Sequence, residues 1–376
     1  MLFERPSLTD KELEVCHEIE GLRKKLRSQL YEPLRWLGSL RRLSFARAIQ
    51  GSNSIEGFNA ALDDVAAAAA GEEPLDADLE TKMALYGYRD AMTYVLQLAT
   101  EDRFEYSDQL IKSLHFMMTN YDLKNRPGLW RVGTIYVHNE ETDEVVYEGP
   151  DVDLVPDLVD GLMGLLNKPD PTDAIVRAAM AHLNLVMIHP FRDGNGRMAR
   201  CLQTLVIARD GALSPPFCSV EEYLGRNTNA YYAMLAEVGG GSWQPERDAL
   251  PWLRFMLTAH YHQAQTLLRR VKESERLWAE LEKLARKHGL PERVLSAMYD
   301  AALGWRVRNA TYRRIVDDDM SEQTASRDLR ALVKHDLFEP HGERRGRYYS
   351  GKPVLLGVFK AIRDKRAPRS ELDPFA

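Results

Sequence analysis

The sequence predicts a mainly α-helical protein with one isolated β-hairpin near its middle and a helix, helix and wing module at its C-terminal end. Three observations predict it. Apolar residues recur three and four apart through most of the 376 residues, the pattern of helices that bury one face. Period-two alternation is confined to the stretch from Trp130 to Tyr147, as a single hairpin requires. Near the C-terminus, two short helical patterns precede a basic segment with the spacing of a hairpin. A chain of this length exceeds one ordinary domain. The pattern divides it into an N-terminal helical region (1–100), a central core (101–262), a connecting helix (263–289) and a C-terminal module (290–376).

From Asp10 to Arg35 the chain is charged with spaced leucines, and Leu40 to Ile49 continues with Leu43, Phe45 and Ile49 at helical intervals. Gly51 and Ser52-Asn53-Ser54 read as an interruption, after which Ile55 to Ala70 resumes as a helix ending at Gly71. The alanine run 66–70 needs no reading beyond high helix propensity. Lys82 to Leu98 and Ser107 to Met118 are further amphipathic helices. In the hairpin, Val132, Thr134 and Tyr136 alternate against Ile135 and Val137, a polar turn spans Asn139 to Asp143, and Val145-Val146-Tyr147 returns. A lone hairpin exposes edges with which another chain can pair.

Ala174 to Ile188 is a strong helix, and Met198, Cys201, Leu202, Leu205 and Val206 mark a second, so two core helices flank residues 189–196. Gly239 to Ser242 is a loop, Trp252 to His262 returns to helix, and Gln263 to His288 reads as a long charged helix ending near Gly289-Leu290-Pro291.

Composition narrows the function. A net charge of −6 gives no global attraction to nucleic acid or anionic lipid, so any polyanion must be met locally. Cys16, Cys201 and Cys218 are odd in number and unclustered, which suits a reducing compartment and gives neither a disulfide framework nor a zinc spacing. The N-terminus lacks the features of a signal peptide, and no run of about 20 apolar residues offers a membrane span. The reading is a cytoplasmic protein with no membrane partner.

The chemistry concentrates in His189-Pro190-Phe191-Arg192-Asp193-Gly194-Asn195-Gly196-Arg197-Met198-Ala199-Arg200. Gly194 and Gly196, with Asn195 between them, can turn successive backbone N–H groups toward one point just before a helix, a nest for phosphate. The helix start adds unsatisfied donors, and Arg197 and Arg200 add forked cations suited to phosphate oxygens. No lysine and hydroxyl pair of a Walker A loop is present. Asp193 supplies one oxygen ligand for Mg²⁺, which takes its remaining ligands from phosphates and water. His189, ended by Pro190, has a side chain able to accept a proton at neutral pH. A zinc hydrolase built on His182 and His189 is a rival reading, but neither belongs to an HExxH pair.

These twelve residues resemble the Fic signature, His-Pro-Phe-x-Asp/Glu-Gly-Asn-Gly-Arg-x-x-Arg, at every specified position. The similarity extends by inspection over roughly residues 40–262. The resemblance implies a helical Fic core with the hairpin as its flap, and a protein adenylyltransferase that moves AMP from ATP to a Ser, Thr or Tyr hydroxyl of a protein, the chain itself included. By it, His189 is the general base, Asp193 holds Mg²⁺, and Gly194, Asn195 and Gly196 cradle the phosphates. Arg197 and Arg200 complete the polyphosphate site. Tyr231 and Tyr232 are candidates to lie beside the adenine, against the alternative of core tyrosines. Gly133, Thr134, Ile135, Tyr136 and Val137 of the flap would hold a target segment by strand addition. Two alternatives share the motif: a transcriptional regulator whose core senses nucleotide, and a transferase with another donor.

Ser52-Asn53-Ser54-Ile55-Glu56-Gly57 resembles the inhibitory motif [Ser/Thr]-x-x-x-Glu-[Gly/Asn] of one class of Fic proteins. It implies that Glu56 pairs with Arg200 and restrains transfer, or positions water for AMP removal. Without that resemblance, Asn53 and Glu56 fit a capping arrangement at a helix start equally well.

Ala310 to Asp317, Ser321 to His335 and Leu337 to Ser350 resemble a winged helix-turn-helix. Ser321 is the expected N-cap, Leu329, Leu332 and Val333 face inward, and Gln323, Thr324, Arg327 and Arg330 face solvent. Arg344, Arg345, Arg347 and Lys352 make the wing basic, while Asp317-Asp318-Asp319 is an acidic run beside the Ser321 helix. Duplex DNA and a second copy of the chain are both candidate partners of such a module.

Overall fold

The computed structural model describes the chain apart from residues 32–33, 139–141, 212, 214, 317–318, 344–345 and 367–372. Asn139 of the hairpin turn, Asp317 and Asp318 of the acidic run, and Arg344 and Arg345 of the wing therefore lie outside the described residues.

Helix α1 (Asp10–Leu30) opens on a capping box in which Thr9 and Glu12 satisfy each other's donors. Helix α2 (Leu37–Ile55) runs through the stretch expected to break it. Its Gly51 serves close approach: a Cβ there would collide with the Glu221 carbonyl, and one on Gly225 would lie 2.8 Å from the Gly51 Cα. The missing side chains let α2 cross the short helix that follows Val220, so glycine marks a contact and not an end. The chain turns only at Glu56 and Gly57, and Gly57 takes the left-handed φ of +82° that ends many helices. Ile55 to Ala70 is thus no single helix; α3 (Leu62–Ala69) follows a loop.

Helices α4 (Leu79–Leu98) and α5 (Asp108–Thr119) lead to strands β1 (Tyr136–His138) and β2 (Val145–Glu148), an antiparallel pair. The expected strand is shortened at its front, because Val132 and Gly133 form a bend. Then come α6 (Val155–Asn167), α7 (Ala174–Ile188), α8 (Asn195–Arg209), α9 (Glu221–Arg226), α10 (Thr228–Gly239) and α11 (Leu250–Lys287). Helix α7 is buried on every side, the mark of a central core helix, and α8 packs along it. The two helices expected on either side of residue 262 are one, about 57 Å long at 1.5 Å per residue. Its apolar stripe is continuous, and nothing between His262 and Gln263 breaks a helix.

The C-terminal part comprises α12 (Leu295–Ala302), α13 (Asn309–Val316), α14 (Glu322–Lys334), the antiparallel pair β3 (Phe338–His341) and β4 (Tyr348–Gly351), and α15 (Pro353–Arg363). Ser321 caps α14 by accepting from the Thr324 N–H. Leu329 and Leu332 are buried, while Gln323, Arg327 and Arg330 are exposed. This part docks on α2 and α3 through arginines: Arg306 on Asp63 and Asp64, Arg308 on Glu72 at 3.2 Å, and Arg42 of α2 on the buried Asp300 at 2.8 Å. All three cysteines are buried thiols outside any disulfide. Among the described residues, no helix is long and apolar enough to cross a membrane.

Candidate functional site

The site is built where α7 ends and α8 begins. His189 terminates α7 in the left-handed region, with φ +50° and ψ +57°. Its Nδ1 lies 3.0 Å from the Val186 carbonyl; a carbonyl only accepts, so Nδ1 carries the proton and Nε2 holds the lone pair. Burial pulls the ring's pKa below its ordinary value, outweighing the Val186 bond, Glu56 and Asp193, which raise it. The imidazole is neutral at pH 7, as a base requires.

Within the loop, Asn195 is structural in its side chain and electrostatic only in its backbone. Its Oδ1 accepts from the Phe191 N–H and its Nδ2 donates to the Phe191 carbonyl, both at 2.9 Å. The amide thereby closes residues 191–195 into a rigid turn. Gly194 has φ +77° and sits at the start of α8, so the helix's first N–H groups open to one side. Asp193 is half-buried, with Oδ2 3.5 Å from Arg197 Nη2 and 3.4 Å from Asn125 Nδ2.

Two positioning residues lie far away in sequence. His115 of α5 accepts from the Gly128 N–H through Nδ1 and donates from Nε2 to the Asp193 carbonyl, both at 2.9 Å. Its ring stacks on Phe191 at 3.6 Å and 2°, and burial pushes its pKa down to about 4. The buried Arg131 donates to the carbonyls of His189, Gly133 and Pro150 at 3.0, 2.6 and 2.5 Å. One guanidinium thus ties the base of the hairpin to the loop. Neither residue carries a motif; an arginine opening a strand and a histidine in an amphipathic helix are ordinary in sequence.

Arg197 and Arg200 are fully buried beneath the loop. Arg197 reaches Tyr121 at 3.3 Å and lies over the Phe58 ring. Arg200 donates from Nε to Ser52 Oγ at 2.8 Å, and from Nη2 to the Ser52 carbonyl at 3.0 Å and Glu56 Oε1 at 2.6 Å. Arg197 Nε and Arg200 Nη1 are buried without a hydrogen-bond partner among the described residues. The Glu56 carboxylate lies directly over Gly196, where a Cβ would collide with Oε1. Burial opposes its ionisation, but Arg200 and then Arg197 outweigh burial and hold its pKa below the ordinary value. Ser52 and Glu56, one turn apart on α2, grip one arginine. The alternative of a capping arrangement is corrected here: Asn53 and Glu56 lie at the end of α2, and the Asn53 amide donates back to the Ile49 carbonyl.

The two tyrosines part company. Tyr231 is buried and donates to His182 Nε2 at 2.9 Å, while His182 Nδ1 donates to Gln203 Oε1. Both nitrogens of His182 are thereby occupied, which overturns its reading as a zinc ligand. Tyr232 is 45% exposed and donates to the Ile55 carbonyl at 2.9 Å, beside Glu56. Among the described residues, no group of three or more His, Cys, Asp or Glu side chains is arranged to hold a metal.

Of the flap residues, Tyr136 and Val137 lie in β1, whereas Gly133, Thr134 and Ile135 precede it. The Ile135 carbonyl accepts from the Gly149 N–H at 3.1 Å. By the alternation of a ladder, the Tyr136 N–H and carbonyl point to the other side. On the far side of β2, Glu148 bridges Ser242, so β1 supplies the open edge among the described residues.

Comparison with known proteins agrees with this geometry. Residues 105–207 match the Fic/DOC family. The protein adenylyltransferase fic-1 of Caenorhabditis elegans is 46% identical over 74 residues, 19% of this chain and 13% of that protein. The protein adenylyltransferase Fic of Nematostella vectensis is 38% identical over 93 residues, 24% of this chain and 19% of that protein. The chain therefore matches less than a fifth of the length of either relative. A Fic family protein from Desulfovibrio desulfuricans superposes with TM-score 0.58 at 21% identity, covering 93% of this chain and 98% of the other. Residues 134–508 of C. elegans Fic-1 superpose with TM-score 0.54 at 23% identity, covering 70% and 73%. These two likenesses are of fold. Residues 105–207, whose last part holds the His189 to Arg200 loop, are thus the segment similar to the Fic/DOC family.

Proposed function

We propose that the chain is a restrained protein adenylyltransferase, transferring AMP from ATP to a Ser, Thr or Tyr hydroxyl of a protein. The observation that carries this reading is the pairing of opposite functions across one loop. A neutral imidazole with a lone pair on Nε2 stands at one end. At the other, two buried arginines keep unpartnered donors around the start of α8. That set suits a polyphosphate. His189 Nε2 takes the proton of the target hydroxyl as its oxygen bonds to the α-phosphorus and the bond to the bridging oxygen of the β-phosphate breaks. The products are an AMP phosphodiester and pyrophosphate. Arg197 and Arg200 offset the charge that develops on pyrophosphate.

A single half-exposed carboxylate, Asp193, fits Mg²⁺, whose other ligands come from phosphates and water. When bound, Mg²⁺ neutralises phosphate charge. The open edge of β1 supports strand addition by the target, with main-chain bonds giving grip and little sequence choice.

Restraint follows from Glu56. Its carboxylate stands over Gly196 and occupies Arg200, so a bound triphosphate loses the cation that would align it. A misplacement of about 1 Å costs on the order of 100-fold in rate. Mass spectrometry of the Glu56→Gly protein, incubated with ATP, GTP or UTP and candidate hydroxyl proteins, tests the donor and the reaction together. An increment of one AMP from ATP, lost on adding His189→Ala, is expected. No increment from any nucleotide rejects the transferase reading. The same assay run on modified protein shows whether Glu56 promotes AMP removal.

Duplex DNA is a second partner favoured by one observation, the exposure of Gln323, Arg327 and Arg330 on α14. A mobility shift that fades with salt supports it; no shift at low salt removes it.

A further inference from the structure

Away from the loop, the middle of α11, the corner between α9 and α10, and the end of α15 enclose a cleft of about 810 Å³. That lies within the ~300–1,000 Å³ of small-molecule sites. Six of the residues lining it are arginine or lysine and two are acidic, in a chain whose net charge is −6. The cations divide into two kinds. Arg269 and Arg366 share the carboxylate of Glu273, at 3.8 and 2.6 Å, and Arg226 pairs with Glu222. Lys272, Arg276 and Lys365 are exposed, with no ion-pair carboxylate among the described residues.

The fold does not account for these three. Lys272 and Arg276 stand four apart on α11, a like-charge spacing that destabilises a helix. Beneath the cleft, the Glu222 carboxylate faces Arg226 and Arg270. Cations converging in a concavity focus the field and raise the local concentration of anions. Forked guanidiniums match phosphate oxygens in particular. One wall is aromatic, with the Tyr223 and His262 rings parallel at 4° and 5.8 Å apart.

We propose that this cleft binds a soluble small molecule bearing a polyphosphate group, at a site separate from the His189 to Arg200 loop. Lys272, Arg276 and Lys365 contact the phosphates. The ligand is either inorganic polyphosphate or the phosphate chain of a nucleotide, in which case Tyr223 supports the ring.

The test is calorimetric titration of the full chain with sodium tripolyphosphate and with ATP at low salt, beside a Lys272→Gln, Arg276→Gln, Lys365→Gln variant. These side chains are exposed, so an unchanged melting midpoint is expected. The variant should lose one class of binding for both probes, with Kd raised at least about tenfold. Binding at the loop survives in both proteins and cancels from the difference, so failure of AMP transfer leaves this result untouched. Tighter binding of ATP than tripolyphosphate, abolished by Tyr223→Ala, identifies the nucleotide arm. Equal binding that survives Tyr223→Ala identifies inorganic polyphosphate. Identical titrations of wild type and variant, or binding of duplex DNA without tripolyphosphate, overturn the proposal.

Discussion

Two glutamates in this molecule sit against buried arginines, and they differ in what surrounds them. Glu222 has a side chain only 5% exposed and faces Arg47, Arg226 and Arg270, with Gln263 donating at 3.4 Å. Glu56 has a side chain 19% exposed and one direct cation partner, Arg200, which Ser52 also holds. Glu222 is enclosed by three guanidiniums and an amide. Glu56 lies over a helix start whose donors suit any anion. The first arrangement builds the α2, α9 and α11 junction; the second, on the function proposed above, blocks a place where a phosphate can stand. On that reading, similar ion-pair chemistry is a joint in one region and a stopper in another, and the difference lies in whether another anion can replace the carboxylate.

The contrast is testable from its largest effect downward. Glu222→Gln leaves the buried Arg270 without the carboxylate it binds, and the unfolding free energy should fall by about 3–5 kcal/mol, read from urea denaturation. A loss under about 1 kcal/mol would erase the distinction. Glu56→Gly should lower that free energy far less, while raising AMP incorporation from labelled ATP by roughly 100-fold. Equal incorporation by wild type would remove the restraint but leave the transferase.

The same variant sharpens the role of His189. Burial lowers its pKa, and only the neutral ring accepts a proton, so activity should be flat above pH 6.5 and fall with acid only below it. The Glu56 charge is one of the influences raising that pKa, so its removal moves the acid limb further down. An acid limb above pH 6.5 in a pH–rate profile of Glu56→Gly contradicts this assignment. Smallest is Tyr232→Phe, which removes the bond to the Ile55 carbonyl. A bond of this kind contributes about 1 kcal/mol, and a several-fold rise in basal incorporation is expected if it helps hold the end of α2 in place.

Legibility in the sequence followed the distance over which each feature is encoded. The loop was readable because His189, Asp193, Gly194, Arg197 and Arg200 fall within one turn and one helix start, where spacing alone sets direction. Ser52 and Glu56 were readable as a pair only through the resemblance to the inhibitory motif, since the sequence placed Ser52 in a break before the helix of Glu56. The end of α2 was misread because Gly51 has two meanings in sequence, breaker or contact, and only the backbone of Glu221 crossing it decides between them. The division of α11 was misread because a change from apolar to charged composition imitates a boundary while the helical stripe continues. His115 and Arg131 left no signal, since both act on carbonyl oxygens, which every residue possesses.

By itself, then, the sequence determined a glycine-bearing turn at a helix start, a histidine able to accept a proton and a chain rich in helices. These rest on local periodicity and on donors that adjacent residues share. The tertiary structure placed Glu56 on Arg200 across 144 residues, a pairing that only resemblance had implied, and it alone stacked His115 on Phe191 and tied the hairpin to the loop through Arg131. It alone gathered the cations of α9, α11 and the segment after α15 around one cleft. Contacts at such separations are set by how helices pack, through volume and close approach, and no spacing along the chain records them.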